Sequence, residues 1–419
     1  MTPFGEDAAA SLPGPEWIAG KRREAEQRLA SSVMPSWEEE VWRYAPIDDL
    51  DLSSFSLVTE PATIDAPALL AEFPDRSGAA VLSDGHLVHI EGDAVSRLVD
   101  AETPGSFASV LDEPTDIFAD MNTAYAVDPI CITVKPGKDI PTPIVIINMV
   151  TTPGAAVFPR LIVDAGADSS VSVLDITRSA DVAAFIAPVV ELANADAARL
   201  TYLNVQELGP QVWQIANQVS SVGSQGSLAA DCAAFGGAYA RLRADCRLVG
   251  RGANGHLGAV YFGDGDQTLD FRTFQDHIGP DTTSDLLFKG VLDHTSRSVY
   301  SGLIRVGKDA RGTNAFQTNR NIKLSEHAWA ESVPNLEIET DDVRCSHAST
   351  VGPIDEEQRF YLQSRGVPAA VADRLIVAGF FNEVIDGLSF PAVAADLRSQ
   401  IAAKLDASAL GAATAGAGA

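Results

Sequence analysis

The chain has 419 residues, 46% of them apolar, enough to bury a full core with small flanking units around it. Its 57 acidic residues against 30 basic ones leave a formal charge of −27, a surface that repels a phosphate backbone, so nucleic acid is excluded as a partner. No apolar run approaches the roughly 20 residues of a membrane helix, and the four cysteines, Cys131, Cys232, Cys246 and Cys345, are too scattered for a disulfide framework.

The first ten residues carry Glu6 and Asp7 and lack a basic start and an apolar signal core, so the expectation is a cytoplasmic, membrane-free protein with reduced thiols that are inert by default. Residues 1 to about 12 are expected to be disordered. Pro13, Gly14 and Pro15 then punctuate the start of a helix over 16–30. A second helix is expected after Pro35, capped by Ser36, with Glu38, Glu39 and Glu40 at the positive end of its dipole. Residues 1–50 thus read as a small helical region. Beyond Pro46 the pattern turns to strands, and 80–82 and 86–90 flank Asp84-Gly85, a hairpin turn signal. Helical signals are sparse from there to about 350.

Within this region small or turn-forming pairs recur near Gly166-Ala167, Asp196-Ala197, Gln225-Gly226, Ala253-Asn254, Asp281-Thr282 and Ala310-Arg311. β-Branched and aromatic residues fill the stretches between them in rough alternation. A period of about 28 to 30 residues points to a solenoid, in which each repeat buries its apolar face only by stacking on its neighbours. Strands and turns without intervening helices favour a β-helix over a helical array. A β-sandwich with evenly spaced turns is the competing reading. The strand-rich region spans 51–352, with the repeats over about 160–350.

After Gly352 the chain reads as a helical domain over 353–405. Asp355-Glu356-Glu357 opens one helix, which Arg365-Gly366 closes. Pro368 opens the next, with Leu375, Ile376, Phe380, Val384 and Ile385 at helical spacing and Phe381 beside them. A third is expected over 391–405, and the Ala/Gly-rich tail 406–419 is expected to be disordered. Helical units at both ends would cap the unpaired backbone of an open β-helix.

Among residues that carry chemistry, Arg344-Cys345-Ser346-His347 stands out, following the alternating Leu336-Glu337-Ile338-Glu339. On a strand, Cys345 and His347 share a face about 6.6 Å apart at the backbone. Both are soft metal ligands, but two do not close a tetrahedral site, so further ligands must come from distant residues or another chain. The spacing alone leaves incidental and metal-ligating roles open. Asp276-His277 reads as a hydrogen-bonded turn with Thr282, Thr283 and Ser284 more than as an acid/base pair. Cys232 and Cys246 read as small core residues, and His256 and His294 as surface histidines. Phosphate loops, nucleophile elbows and zinc-protease signatures are missing.

Several long segments in order resemble the SufB/SufD family of iron-sulfur cluster assembly scaffolds. They are Thr283-Ser284-Asp285-Leu286-Leu287-Phe288-Lys289-Gly290, Ser301-Gly302-Leu303-Ile304-Arg305-Val306, Gln317-Thr318-Asn319-Arg320-Asn321 and Asp341-Asp342-Val343-Arg344-Cys345-Ser346-His347. Asp355-Glu356-Glu357, Phe360-Tyr361-Leu362 and Ser364-Arg365-Gly366 continue the likeness, and Glu40-Val41-Trp42-Arg43-Tyr44 is similar to the SufD branch. The resemblance implies a mainly β fold, a right-handed parallel β-helix core flanked by small N-terminal and C-terminal helical domains. It implies a non-enzymatic subunit that joins a SufB-like paralogue and a SufC-like ATPase, with ATP hydrolysis belonging to the latter. His347 matches a ligand of a transient iron-sulfur cluster shared with SufB, and Cys345 holds the neighbouring position with a less definite role. Phe360, Tyr361, Leu375, Ile376, Phe380 and Phe381 suit either docking of the ATPase or packing on the β-helix. The resemblance leaves room for reduced flavin in the assembled complex and for a homodimer of the isolated subunit. The competing functions are a SufB-like scaffold accepting persulfide on its own cysteine and a β-helix enzyme acting on polysaccharides.

Overall fold

The computed structural model describes residues 4–5, 8–111 and 113–408. Six residues in the left-handed backbone region, Asp168, Ala197, Gln225, Gly252, Asp281 and Gly312, recur at spacings of 27 to 31 residues with φ between 55° and 76°. They stack. The N–H of Asp168 donates to the carbonyl of Asp196, Ala197 to Ser224, Gln225 to Arg251, Gly252 to Pro280, Asp281 to Arg311 and Gly312 to Asp342. Each coil is thus hydrogen-bonded at its corner to the next, and the periodic turn clusters of the sequence are this corner.

Between corners the chain contributes alternately to two sheets, one of 12 strands and one of 10. From Ile130–Val134 and Ile144–Val150 onward, successive strands of each sheet pair in parallel. The expected parallel β-helix is therefore what forms, and parallel pairing excludes the antiparallel sandwich. An unbroken register aligns side chains in columns. Leu200, Leu228, Gly255, Ser284, Ala315 and Cys345 form one, and Tyr202, Ala230, Leu257, Leu286, Gln317 and His347 form another. Leu200, Tyr202, Leu228, Leu257 and Leu286 lie in the core between the sheets.

The helices α1 (Glu16–Ser31), α2 (Ala66–Leu70) and α3 (Ile117–Tyr125) precede the parallel stack, and α4 (Glu356–Ser364), α5 (Ala369–Ile385) and α6 (Pro391–Ala407) follow it. They cover flanks, not ends. Leu29, Phe118 and Tyr125 pack with Phe185, Ile215 and Tyr239 of the 12-stranded sheet. Val377, Phe381 and Ile401 pack with Leu203, Val260 and Val291 on the outer face of the 10-stranded sheet. Each such side chain contributes roughly 1.5–3 kcal/mol through burial. The buried Lys289 adds a polar anchor: its ammonium donates to the Phe380 carbonyl at 2.9 Å and pairs with Glu383.

The N-terminal end of the stack is closed by antiparallel strands, Val95–Arg97 on one sheet and the hairpin Gly78–Ser83 with His86–Glu91 on the other. The hairpin turns through Asp84 and Gly85, both at positive φ, as the sequence predicts. Helical caps at the ends, expected from the sequence, are thus replaced by strands at one end, and at the other no cap occurs among the described residues.

The N-terminal region also differs from the expected pattern. The helix expected after Pro35 is only a one-turn 3-10 segment, Glu40–Trp42, although Ser36 does accept from the Glu38 N–H. Arg241 takes the Val41 carbonyl and Arg272 the Arg43 carbonyl, each at 2.8 Å, which removes acceptors a longer helix would use. Trp42 meanwhile inserts between the Arg241 guanidinium, 3.8 Å from its ring, and Phe118. Helices α2 and α3 were not expected, yet Asp65 and Asp116 cap them. Ala9–Ser11 is an ordered turn with Ala9 buried, and α6 takes in the first two residues of the expected tail. Residues 1–3, 6–7 and 409–419 lie outside the described residues, so the disorder expected there is untouched.

Candidate functional site

The strand Trp329–Ile338 terminates the 12-stranded sheet and Val343–Gly352 terminates the 10-stranded sheet. Among the described residues nothing pairs with their outer edges, so two ten-residue rows of N–H and C=O groups stand side by side at one end of the β-helix. Residues of interior type are left open there. Leu336 and Ile338 continue the columns of the fully buried Ile304 and Val306, yet they are 37% and 42% exposed.

Cys345 and His347 lie on this last strand, in the interior-facing columns of Ala315 and Gln317. The structure therefore places both on one face. Cys345 is half-buried against Ile304, Val306, Ala310 and Ala315, and burial pushes its thiol pKa up. His347 is exposed and makes no hydrogen bond or ion pair among the described residues. Beneath them the floor is held in place. Gln317 accepts from the Tyr300 hydroxyl at 3.1 Å and donates to the Asn335 carbonyl at 3.3 Å. Asn319 donates to the Tyr261 hydroxyl at 3.0 Å and accepts from Asn321 at 2.9 Å. Gly302 permits this: a Cβ there would overlap both the Tyr300 hydroxyl and Gln317 Oε1.

No group of three or more His, Cys, Asp or Glu side chains able to hold a metal occurs among the described residues. Among the described residues, Cys345 and His347 are thus two potential donors without a third beside them, fewer than the four of a closed tetrahedral site.

The other candidates resolve into structural roles. His277 is fully buried, bonded through its ring nitrogens to Thr282 Oγ1 at 2.7 Å and Ser284 Oγ at 2.9 Å, and burial pushes its pKa down to about 4. Asp276 faces away and pairs with Arg305. His256 is more than a free surface histidine: it sits between Asp231 and Asp285, at 3.4 and 3.3 Å, which raise its pKa to about 9. His294 is a surface residue, as expected. Cys131, Cys232 and Cys246 are buried, and burial pushes the last two up to about 12 and 11.

On the C-terminal helices, Phe360, Tyr361 and Leu375 are 71%, 55% and 52% exposed. Ile376 and Phe380 are partly buried, and Phe381 is buried on the sheet. Tyr361, Leu375, Ile376 and Phe380 also line a groove of about 1120 Å³ that runs to Arg320 and Val351 of the last coils. Sequence reasoning missed the floor residues Tyr261, Tyr300 and Asn335. For Tyr261 and Tyr300 the signal was present only as inward positions on strands, and Asn335 joins the floor through its backbone carbonyl, which side-chain patterns do not report.

The family model described as SUF system FeS cluster assembly, SufBD core domain, matches residues 148–380, more than half of the chain and all of this floor. The chain belongs to the SufBD family. This SufBD chain is 38% identical over 225 residues to an iron-sulfur cluster assembly SufBD family protein of Mycobacterium bovis, covering 52% of the chain and 57% of that protein. It therefore spans little more than half the length of that relative. A Mycobacterium leprae SufBD family protein is 34% identical over 289 residues, covering 67% of the chain and 73% of the relative. The Escherichia coli protein named iron-sulfur cluster assembly protein SufD is 26% identical over 381 residues, covering 86% and 87%.

Proposed function

We propose that this SufBD chain is a SufD-type scaffold subunit whose open β-helix end is completed by a SufB-like paralogue, with a nascent iron-sulfur cluster as the cargo held between them. The observation that carries this reading is the uncapped pair of edge strands with His347 on the open interior face. An added coil from a neighbouring subunit would satisfy both rows of backbone groups and cover Leu336 and Ile338. His347 would then meet donors of the second subunit, with Cys345 alongside as a further ligand.

The surface extends sideways along the segment 33–44. Arg241 and Arg272 hold its backbone to the 12-stranded sheet, and Tyr44 packs at a tilt against Trp329 of the last strand with ring centroids 5.5 Å apart. Val33, Trp37, Val41 and Tyr44 are all exposed, an apolar rim beside the open end of the kind that partners cover.

The exposed Phe360, Tyr361 and Leu375, with Ile376 and Phe380 at the groove, suit docking of a SufC-like ATPase, whose hydrolysis of ATP would change the shape of the assembly. Phe381 serves packing of the helical domain on the β-helix. Burial of the other three thiols speaks against a persulfide relay through this subunit. The test is His347→Ala in a complex reconstituted with the paralogue and the ATPase. The variant is expected to fold, bind both partners and lose most cluster formation; an unchanged cluster yield would contradict the ligand role.

A further inference from the structure

Midway along the β-helix, far from its open end in sequence, side chains from both sheets converge on an interior chamber of about 30 Å³. Asn148, Asp175, Thr177 and Asn204 enter it from the 10-stranded sheet, and Gln214 and Gln218 from the 12-stranded sheet. Part of this polar lining is satisfied. Asp175 accepts from Asn148 Nδ2 at 3.1 Å and from the Tyr202 hydroxyl at 2.8 Å, and its backbone carbonyl accepts from Asn204 Nδ2 at 3.3 Å. Arg160, on one wall, is held by Glu191 at 2.6 Å.

The two glutamines are different. Gln214 and Gln218 are 6% and 5% exposed, and their amides bond to no group among the described residues. Buried amides in folded proteins find partners, from protein or from ordered solvent. The chamber exceeds the 10–15 Å³ that one water requires, so it has room for about two. The lining chemistry selects among guests of this size. A bare monovalent cation would suit the Asp175 carboxylate but would leave the glutamine N–H donors without acceptors. Water accepts from those donors and donates to the carboxylate.

We propose that this chamber is a built hydration site, in which ordered water links the Gln214 and Gln218 amides to Asp175 and so bridges the two sheets through the β-helix interior. The site lies beside apolar side chains of both sheets, among them Ile130, Ile146, Leu161 and Val190. It belongs to the subunit by itself and needs no partner chain.

The test is a high-resolution crystal structure of the full chain, with parallel crystals soaked in thallium(I) acetate. The expected result is water density within hydrogen-bonding distance of Gln214, Gln218 and Asp175, with no anomalous thallium peak. A thallium peak would make the chamber a cation site, and featureless density would make it dry; either overturns the proposal. A Gln214→Leu, Gln218→Leu double variant gives a second reading. It is expected to lose the water peaks while the rest of the β-helix superimposes, and persistence of those peaks beside two leucines would contradict the assignment. If that variant does not fold, the wild-type crystals still decide.

Discussion

Gln317 and His347 are direct neighbours in the last strand pair and face the same interior, yet Gln317 is 1% exposed and His347 is open to solvent. Only coil number separates them. The column that buries Tyr202, Leu257, Leu286 and Gln317 simply runs out at His347, because no further coil among the described residues covers it. An interior position without a next layer is the observation on which the proposed completion by a second subunit rests.

Thiol chemistry should separate Cys345 from the other cysteines. With burial pushing Cys232 up to about 12, roughly one thiol in ten thousand is ionised at pH 8. Cys345 also carries a raised pKa, but it alone is not buried. Treating the native chain with Ellman's reagent is expected to modify Cys345 first, with Cys131, Cys232 and Cys246 reacting only on unfolding. Peptide mapping checks this, and prompt labelling of Cys232 or Cys246 would contradict the packing described.

The apolar rim makes a separate prediction. A Trp37→Ser, Tyr44→Ser double variant removes exposed rings and leaves the buried Trp42 anchor untouched. Its melting temperature should stay within a few degrees of the parent, because surface changes usually alter stability by less than about 0.5 kcal/mol. Its affinity for the paralogue should fall about tenfold, corresponding to about 1.4 kcal/mol. Calorimetric titration measures the affinity, and an unchanged value would confine the interface to the strand edges.

The parts of this fold legible in the sequence are those set by local backbone demands. Asp168, Ala197, Gln225 and Asp281 adopt positive φ at four of the six corners and glycines at the other two, and small or turn-forming residues cluster around them, so the coil period could be read directly. The Asp84-Gly85 hairpin was legible for the same reason. What escaped depends on distant partners. Arg241 and Arg272 lie some two hundred residues from the carbonyls they take from the segment 40–44, so the local helix signals there were overridden. Cys345 and His347 could be placed on one face from their spacing. That their strand is the uncovered edge of the stack could not, because an edge is defined by what fails to follow it in space.

Acid should weaken the fold through His277. Burial pushes its pKa down to about 4, against about 6.5 in an unfolded chain. Its neutral form is the one that Thr282 and Ser284 hold, so its contribution is fully present above pH 6.5 and is lost as pH falls toward 4, with the unfolded chain taking the proton first. The loss amounts to about 3 kcal/mol. Urea unfolding at pH 7, 5.5 and 4.5 should show that decline in the parent and a shallower one in His277→Gln. Equal slopes would contradict the assignment.

Hydrogen exchange on the free subunit and on its complex with the SufB-like paralogue tests the completed-end account most directly. In the free chain, backbone amides on the outer edges of Trp329–Ile338 and Val343–Gly352 should exchange rapidly, while those of the interior strand Thr283–Leu292 stay protected. On complex formation the two edge strands are expected to gain protection together. A complex that forms with both edges still exchanging at the free rate would contradict the claim that a second subunit finishes this β-helix.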